Sequence, residues 1–376
     1  MGSGQQILVI VVSLFLTFVG IGATVPPLPL HVRRDLGLGD TAAGMVLGVL
    51  WAAALGGRFL AGSLADRKGR RVTMLTGFGL SAVAGLLYIP EHWTAMVLAR
   101  AAHGLGEAYL LTAAAAWIVD LAGPLKRSQG LGYLSSGIWG GLSLGPIAGA
   151  YLPSFQWVGW AVFGAAVAGG AIATRMPVEA AVERSAGKRG WPFRPTLLPG
   201  LMLGLANVAS STLMGFLPLH FDRNGWGKGG DAFAGYGIAV LCTRLFLGSL
   251  PDRLGSRTTL LGGLALMGGA FVALIFAPTR AIGVAAAVAI GIGYSFPWPS
   301  VATIVISRVS DQERGSALGV LTAYYDLFVA AGSFVTGAIA SQLGVTAVFW
   351  FAVVNLTLGI VITVATGLDR AQRPLE

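Results

Sequence analysis

The chain alternates long apolar runs with short polar breaks over nearly its whole length. A transmembrane α-helix needs about 20 predominantly apolar residues, and runs of at least roughly that length recur between charges, glycines and prolines. We therefore expect twelve transmembrane helices. Their approximate limits are 6–30, 40–65, 72–90, 94–121, 128–152, 157–176, 197–221, 231–251, 258–278, 281–307, 315–342 and 345–367.

The longest polar stretch, 178–196, separates the sixth and seventh predicted helices and carries several charges and two prolines. We interpret it as a cytoplasmic linker. The predicted fold class is accordingly an all-α membrane protein with an N-terminal six-helix bundle, 1–177, and a C-terminal six-helix bundle, 197–376.

One charged break between apolar runs occurs twice. Gly62-Ser-Leu-Ala-Asp-Arg-Lys-Gly-Arg-Arg71 recurs 186 residues later as Gly248-Ser-Leu-Pro-Asp-Arg-Leu-Gly-Ser-Arg257, and Arg58 recurs as Arg244 at the same offset. Repetition of several motifs at a nearly constant offset indicates an internal repeat. The two predicted bundles are therefore expected to be similar to each other.

Composition supports a membrane protein, because 55% of the residues are hydrophobic and only 11% are charged, whereas about a quarter are charged in soluble domains. The net charge of +9 does not require a nucleic-acid partner, since most Lys and Arg residues fall in loops predicted to be cytoplasmic. We expect a protein of a bacterial-type inner membrane with both termini in the cytoplasm. The single cysteine, Cys242, excludes an intramolecular disulfide.

The first charged break resembles the G-x-L-A-D-R-x-G-R-R signature of the major facilitator superfamily of transporters. This resemblance implies two bundles around a central cavity and a conformational latch at the charged loops that holds the inner face closed. A simple positive anchor for topology is the alternative, and the second copy departs from the signature at Pro251 and Ser256. The residues assigned to the latch are Arg58, Gly62, Asp66, Arg67, Gly69, Arg70, Arg71, Asp252 and Arg253.

The fourth predicted helix carries Arg100, His103 and Glu107 at positions i, i+3 and i+7, which share one helical face. Ionisable side chains inside a membrane are costly and usually face a cavity or a partner. The run resembles the family signature R-x-x-Q-G-x-G, with His103 in place of glutamine. We interpret the three residues as a proton or substrate site in which Arg100 balances Glu107. A static ion pair is the alternative.

Asp326, deep in the eleventh predicted helix, is another candidate site residue. A carboxylate among aromatic side chains can bind a cationic amine, and pairing with Arg244 or Arg100 is an equal alternative. Two prolines flank Trp298 and are expected to open the tenth helix. The residues predicted to line the cavity are Asn207, Tyr294, Trp298, Tyr324 and Tyr325.

The fifth predicted helix has small residues at every fourth position and then a proline. Such a stripe permits close helix packing, and we expect it to face a helix of the other half. It resembles the G-P-x-x-G signature of the drug-proton antiporter branch, with Ala150 replacing a final glycine, and this resemblance implies efflux. The residues of this helix-packing motif are Gly137, Gly141, Gly145, Pro146 and Gly149.

No phosphate-binding loop, zinc spacing or nucleophile elbow occurs in the sequence. We therefore expect a transporter rather than an enzyme, with no cofactor and no metal. The predicted function is proton-coupled efflux of an amphipathic or cationic compound by a multidrug-type antiporter. Its expected partners are a small-molecule substrate, protons and membrane lipid, and it is expected to act as a monomer. The alternatives are a proton symporter or sugar-type exporter and, outside transport, a membrane sensor or lipid scramblase.

Overall fold

The computed structural model describes residues 1–177, 193–310 and 313–366, and within these ranges the side chains of 124–128, 131, 193, 252 and 315 lie outside the description. Most of the predicted linker, 178–192, is likewise outside the described residues. All regular secondary structure in the described part of the chain is helical.

Twelve long helical segments follow the predicted order. They are α1 (Ser3–Arg34), α2 (Asp40–Lys68), α3 (Arg70–Tyr88), α4 (Trp93–Gly123), α5 (124–151), α6 (Phe155–Ala173), α7 (Phe193–Arg223), α8 (Gly230–Leu247), α9 (Ser256–Ile275), α10 (Arg280–Ile306), α11 (Arg314–Leu343) and α12 (Val345–Ala365). Within the described residues, eleven helices are long and apolar enough to cross a membrane, and these are all of the segments except α5. The prediction of an all-α membrane protein is confirmed.

Backbone breaks divide some of these segments. At Gly123 the φ angle is 69°, in the left-handed region that favours glycine, and it separates α4 from α5. The α10 segment is interrupted between Tyr294 and Pro297, as the prolines around Trp298 predicted. A short helix, Leu250–Leu254, stands between α8 and α9 at the second copy of the charged loop.

The glycine stripe of α5 packs against α1. A Cβ atom added to Gly149 would lie 2.0 Å from the carbonyl oxygen of Ala23, and one added to Gly145 would lie 2.4 Å from that of Val19. The prediction that this stripe faces the other half is therefore wrong, because its partner helix belongs to the same half. The other members of the motif also meet α1, namely Gly137 at Val11, Gly141 at Phe15 and Pro146 at Gly22.

Buried hydrophobic side chains group by half of the chain. One cluster draws on 202–356 together with Leu30, and the other two draw only on residues up to Met176. The halves touch where α2 meets α11 at Gly44 and Gly337, and where the Ser143 hydroxyl of α5 donates to the Gly237 carbonyl of α8 at 2.7 Å. The exact domain limits stay a prediction.

Ion pairs join the halves at one end of the molecule. Asp40 at the start of α2 accepts hydrogen bonds from Arg33 at 3.2 Å and from Arg223 at the end of α7 at 3.1 Å. Arg34 pairs with Asp222 beside them. This end of the molecule, opposite the α2–α3 loop, is therefore closed.

Candidate functional site

A cavity of about 1290 Å³ lies between the two halves. Its mouth is at the α2–α3 loop, where Asp66 and Arg67 are exposed, and its inner walls carry Arg58 and Arg244. Aromatic side chains supply much of the remaining wall. They are Phe18, Trp51, Phe59, Trp139, Tyr294, Trp298 and Tyr325.

Arg58 of α2 lies between two buried carboxylates. Its Nη2 donates to Asp326 Oδ1 of α11 at 3.0 Å, its Nε donates to the other oxygen of Asp326, and its Nη2 also lies 3.5 Å from Glu107 Oε1 of α4. Asp326 is fully buried and Glu107 is 3% exposed. We call Arg58, Glu107 and Asp326 the Arg58 site, which joins the two halves of the protein.

The Arg58 site holds more acid than base. One guanidinium facing two ionised carboxylates leaves one unit of negative charge, which is costly in the low-dielectric interior of a membrane protein. Glu107 Oε2 is buried and has no hydrogen-bond partner among the described residues. A proton on Glu107 would remove the excess charge.

Arg244 of α8 has different surroundings. Its guanidinium carbon lies 4.0 Å from the centroid of the Trp139 ring of α5, close enough for a cation–π contact. Arg244 Nε is buried and finds no hydrogen-bond partner in the described part of the chain. The Tyr294 ring lies 5.6 Å from the Trp139 ring. We call Arg244, Trp139 and Tyr294 the Arg244 site.

The two sites occupy equivalent places in the internal repeat. Arg58 corresponds to Arg244 at an offset of 186 residues, and at an offset of 187 Glu107 corresponds to Tyr294 and Trp139 to Asp326. Each arginine contacts a residue of the other half, since Arg58 reaches α11 and Arg244 reaches α5. The repeat therefore places an acidic environment around one arginine and an aromatic environment around the other.

The structure separates the residues that were grouped on α4. Arg100 Nε donates to the Val46 carbonyl at 2.8 Å rather than to Glu107, and His103 is fully buried with its Nδ1 3.4 Å from the Tyr88 hydroxyl. Neither residue lines the cavity. The predicted pairing of Arg100 with Glu107 is wrong, because two residues seven positions apart share a face but stand about 10 Å apart along the axis.

The first part of the predicted latch lies at the mouth of the cavity. Gly62, Asp66 and Arg67 line it, and Asp66 makes no ion pair among the described residues. Gly69 joins α2 to α3 with a φ angle of 86°, a conformation that favours glycine. Arg58, which was grouped with these residues, instead belongs to the deeper Arg58 site.

The basic residues that follow Gly69 fasten neighbouring helices. Buried Arg70 pairs with Asp120 of α4, and Arg71 donates to the Thr174 carbonyl at the end of α6 at 2.7 Å. In the second half, Arg257 makes the matching bond to the Val364 carbonyl at 3.2 Å. Arg253 is exposed, and the predicted contribution of Asp252 lies outside the described side chains.

Four of the five predicted wall residues line the cavity, namely Asn207, Tyr294, Trp298 and Tyr325. The exception is Tyr324, whose ring packs against Gly200 of α7. The Tyr294 hydroxyl donates to Asn207 Oδ1 at 3.1 Å and lies 3.5 Å from the Tyr325 hydroxyl. Sequence reasoning considered Arg244 only as a partner of Asp326, which pairs with Arg58 instead, and it did not assign Trp139 to the site. The arginine repeated inside two predicted spans was a usable signal.

Comparisons with known proteins agree with this architecture. The profile of the Major Facilitator Superfamily matches residues 10–229 and 200–375. An uncharacterised MFS-type transporter of Salmonella typhimurium is 30% identical over an alignment of 370 residues that covers 92% of this chain and 92% of that one.

Solved transporter structures share the fold. The nucleoside transporter NupG aligns with a TM-score of 0.79 at 15% identity, covering 97% of this chain and 100% of that one. A bacterial homologue of the human lysosomal transporter Spinster aligns with a TM-score of 0.76 at 16% identity, covering 97% and 96%. These relatives are transporters and not enzymes. The chain therefore belongs to the Major Facilitator Superfamily of membrane transporters.

Proposed function

We propose that this transporter couples the movement of a small amphipathic molecule to protons, and that Glu107 binds the proton. The observation that carries the proposal is the position of Arg58 between Glu107 and Asp326 on the wall of the central cavity. Secondary transporters place their substrate and coupling-ion sites between their two repeats. The Arg58 site has that position here.

Protonation of Glu107 changes a contact between the halves. With both acids ionised, Arg58 is shared between Glu107 of its own half and Asp326 of the other half. A neutral Glu107 attracts the guanidinium less, so Arg58 is left to Asp326 alone. The proton therefore alters how tightly α2 is held to α11, and this alteration links proton binding to movement of the halves.

The two moving units in this proposal are 1–177 and 197–376. The ion pairs of Asp40 and Asp222 close the end opposite the α2–α3 loop, whereas the mouth at Asp66 is open. The basic loops beside that mouth support a cytoplasmic position for it, by the positive-inside rule. We infer that Asp66 and its neighbours close the mouth when the other end opens.

For direction we propose efflux, which is supported by the resemblance of Gly145-Pro146-x-x-Gly149 to the antiporter signature. The sequence analysis suggested a cationic substrate through Asp326. Since Arg58 already engages Asp326, the proposal requires an amphipathic substrate but not a cationic one.

Proton symport is a second candidate, and Arg244 is the observation that favours it. When Glu107 is protonated, Arg58 and Arg244 together exceed the remaining carboxylate, Asp326, by one positive charge. An anionic substrate would then bind together with the proton and move in the same direction. Antiport requires the opposite, namely that proton and substrate displace each other.

The test uses proteoliposomes with an imposed pH gradient and a panel of amphipathic dyes of both charges. We expect gradient-dependent dye flux that Glu107→Gln abolishes. The matched control Arg280→Gln, at an exposed arginine that pairs with Asp231 at 2.9 Å, should transport like the wild type. Antiport accumulates dye on the acidic side and symport on the alkaline side. Flux that survives collapse of the gradient by a protonophore would refute proton coupling.

A further inference from the structure

The cavity contains a cation, Arg244, that has no carboxylate partner in the part of the chain that the structure describes. Arg244 lies inside a membrane span and lines the cavity, yet no carboxylate pairs with it among the described residues. Buried or half-buried arginines in a membrane normally face a partner or a ligand. The equivalent arginine in the first half, Arg58, has two carboxylate partners. By comparison, Arg244 lacks a carboxylate partner within the described ranges of the chain.

We propose that Arg244 binds the carboxylate of an aromatic organic acid, and that this acid is the transported substrate. The inference deepens the proposed transport function and rests on it. It assigns the charge and the chemical class of the substrate to the Arg244 site.

The geometry of Arg244 suits a carboxylate. The guanidinium of Arg244 lies over the Trp139 ring, and the Arg244 side chain also lines the cavity. Its buried Nε has no hydrogen-bond partner in the described structure. Arginine binds carboxylates edge-on through two parallel hydrogen bonds, and this arrangement is compatible with stacking on an aromatic face.

The walls near Arg244 suit an aromatic body. Trp139 packs edge-to-face with Tyr294 at 5.6 Å, and Trp298 packs edge-to-face with Tyr325 at 6.5 Å. Aromatic pairs favour such offset and edge-to-face arrangements, and a ligand ring can extend them. A cavity of about 1290 Å³ leaves room for a substrate of drug-like size.

A cationic substrate has no equivalent partner at the Arg58 site. Arg58 engages both oxygens of Asp326 and one oxygen of Glu107. The carboxylate oxygen that remains is Glu107 Oε2, and a cation bound there would compete with the proton that the proposed function places on Glu107. The free charge of the cavity is therefore positive on the Arg244 side.

Binding of three probes with one ring system and different charges tests this inference. The purified full chain in detergent is equilibrated by dialysis with radiolabelled naphthaleneacetate, naphthaleneacetamide or naphthalenemethylammonium. We expect the carboxylate to bind at least tenfold more tightly than the neutral amide and the ammonium to bind most weakly. This preference is a property of the wild-type protein, so it does not depend on any variant folding correctly.

Variants then locate the site. Arg244→Gln should weaken carboxylate binding about 30-fold or more, as expected for removal of one partner of a desolvated charge pair. Arg244→Lys keeps the charge but loses the planar, two-pronged guanidinium. Its affinity for the carboxylate should lie between those of the wild type and Arg244→Gln. Arg280→Gln is the matched control and should bind like the wild type.

The inference is overturned if the ammonium is preferred, if no carboxylate binds more tightly than its amide, or if Arg244→Gln binds like the wild type. Dialysis requires no pH gradient, so the charge preference can be measured whether or not transport is coupled to protons. If the wild type prefers the carboxylate but shows no gradient-driven flux, the proposed coupling is rejected and this assignment stands.

Discussion

Arg58 and Arg244 occupy equivalent positions in the two halves of the transporter but have opposite surroundings. Arg58 contacts Glu107 and Asp326, and Arg244 lies against Trp139. In each case the contact with α11 or α5 crosses between the halves. The two halves therefore share an arginine at one structural position, but the side chains around that arginine differ.

In the proposals above, the difference gives the two sites separate tasks. A guanidinium between two acids can respond to a proton, because protonation of either acid changes the balance of charge. Arg244 has no carboxylate partner among the described residues, and the inference drawn above assigns it to an anionic substrate. Under these two proposals one cavity binds a proton and a substrate on different groups.

The largest difference between the Arg58 site and the Arg244 site should appear in the stability of variants that lack the arginine. Arg58→Gln leaves two buried carboxylates without a cation and should lower the free energy of unfolding by about 3–5 kcal/mol. Arg244→Gln removes a cation–π contact and should cost about 0.5–2 kcal/mol. Thermal unfolding of both variants in detergent at neutral pH measures the difference.

The double variant Arg58→Gln/Asp326→Asn provides the control, because it removes one acid together with the cation. It should be more stable than Arg58→Gln alone. Equal losses for Arg58→Gln and Arg244→Gln would contradict the distinction between the two sites.

A smaller contrast is expected within the Arg58 site. Asp326 accepts two hydrogen bonds from Arg58, whereas Glu107 lies 3.5 Å away with one oxygen unpartnered. Asp326→Asn should therefore lower the free energy of unfolding by about 1.5–3 kcal/mol, the worth of hydrogen bonds to charged groups. Glu107→Gln should cost less than Asp326→Asn. If Glu107→Gln instead lowered the stability more than Asp326→Asn in thermal unfolding, Glu107 would be the main structural partner of Arg58.

The contact between Arg244 and Trp139 can be isolated by a double-mutant cycle. Combining Arg244→Gln with Trp139→Leu should give a coupling energy of about 0.5–2 kcal/mol, because the cation–π contact is lost only once. The unfolding free energies of the two single variants and the double variant supply the measurement. A coupling energy of zero would mean that the stacking contributes nothing to stability.

The smallest expected effect is the pH dependence of carboxylate binding. Glu107 faces Arg58 on α2 and Asp326 on α11, the charged groups nearest to it in the described structure. Its protonation adds a positive charge to the cavity, so under the symport alternative naphthaleneacetate should bind about fivefold more tightly at pH 6 than at pH 8, a typical coupling between two sites. The proposed antiport requires weaker binding at pH 6. The probe remains ionised over this range, as a carboxylic acid does above about pH 5.

Glu107→Gln should bind the probe at both pH values with the affinity that the wild type shows at pH 6, because glutamine resembles the protonated acid. Weaker binding at the lower pH in the wild type would instead indicate competition between proton and substrate. That outcome would favour antiport over symport.

Much of the fold was predictable from the sequence, because each span must be long and apolar to cross a bilayer. The twelve segments and the break before Pro297 follow from local patterns. The partner of the α5 glycine stripe could not be predicted in this way. Small residues at every fourth position indicate that another helix packs closely against α5, but they do not identify that helix. The contact of Gly145 with α1 is a property of the tertiary packing.

The site was predictable only in part. Glu107 and Asp326 stood out as acids inside spans, and four aromatic or polar wall residues were anticipated. Their common partner was not, because Arg58 and Asp326 are 268 residues apart in the sequence. Helical periodicity identifies a shared face but not a shared depth, and for that reason Arg100 was wrongly paired with Glu107.

The most direct test of the proton site needs no substrate. Infrared difference spectra of the reconstituted protein, recorded between alkaline and acidic pH, report the C=O stretch of any buried carboxyl that becomes protonated. We predict such a band in the wild type, its retention in Arg280→Gln and its loss in Glu107→Gln. A band that survives unchanged in Glu107→Gln would contradict the assignment of Glu107 as the group that carries the proton.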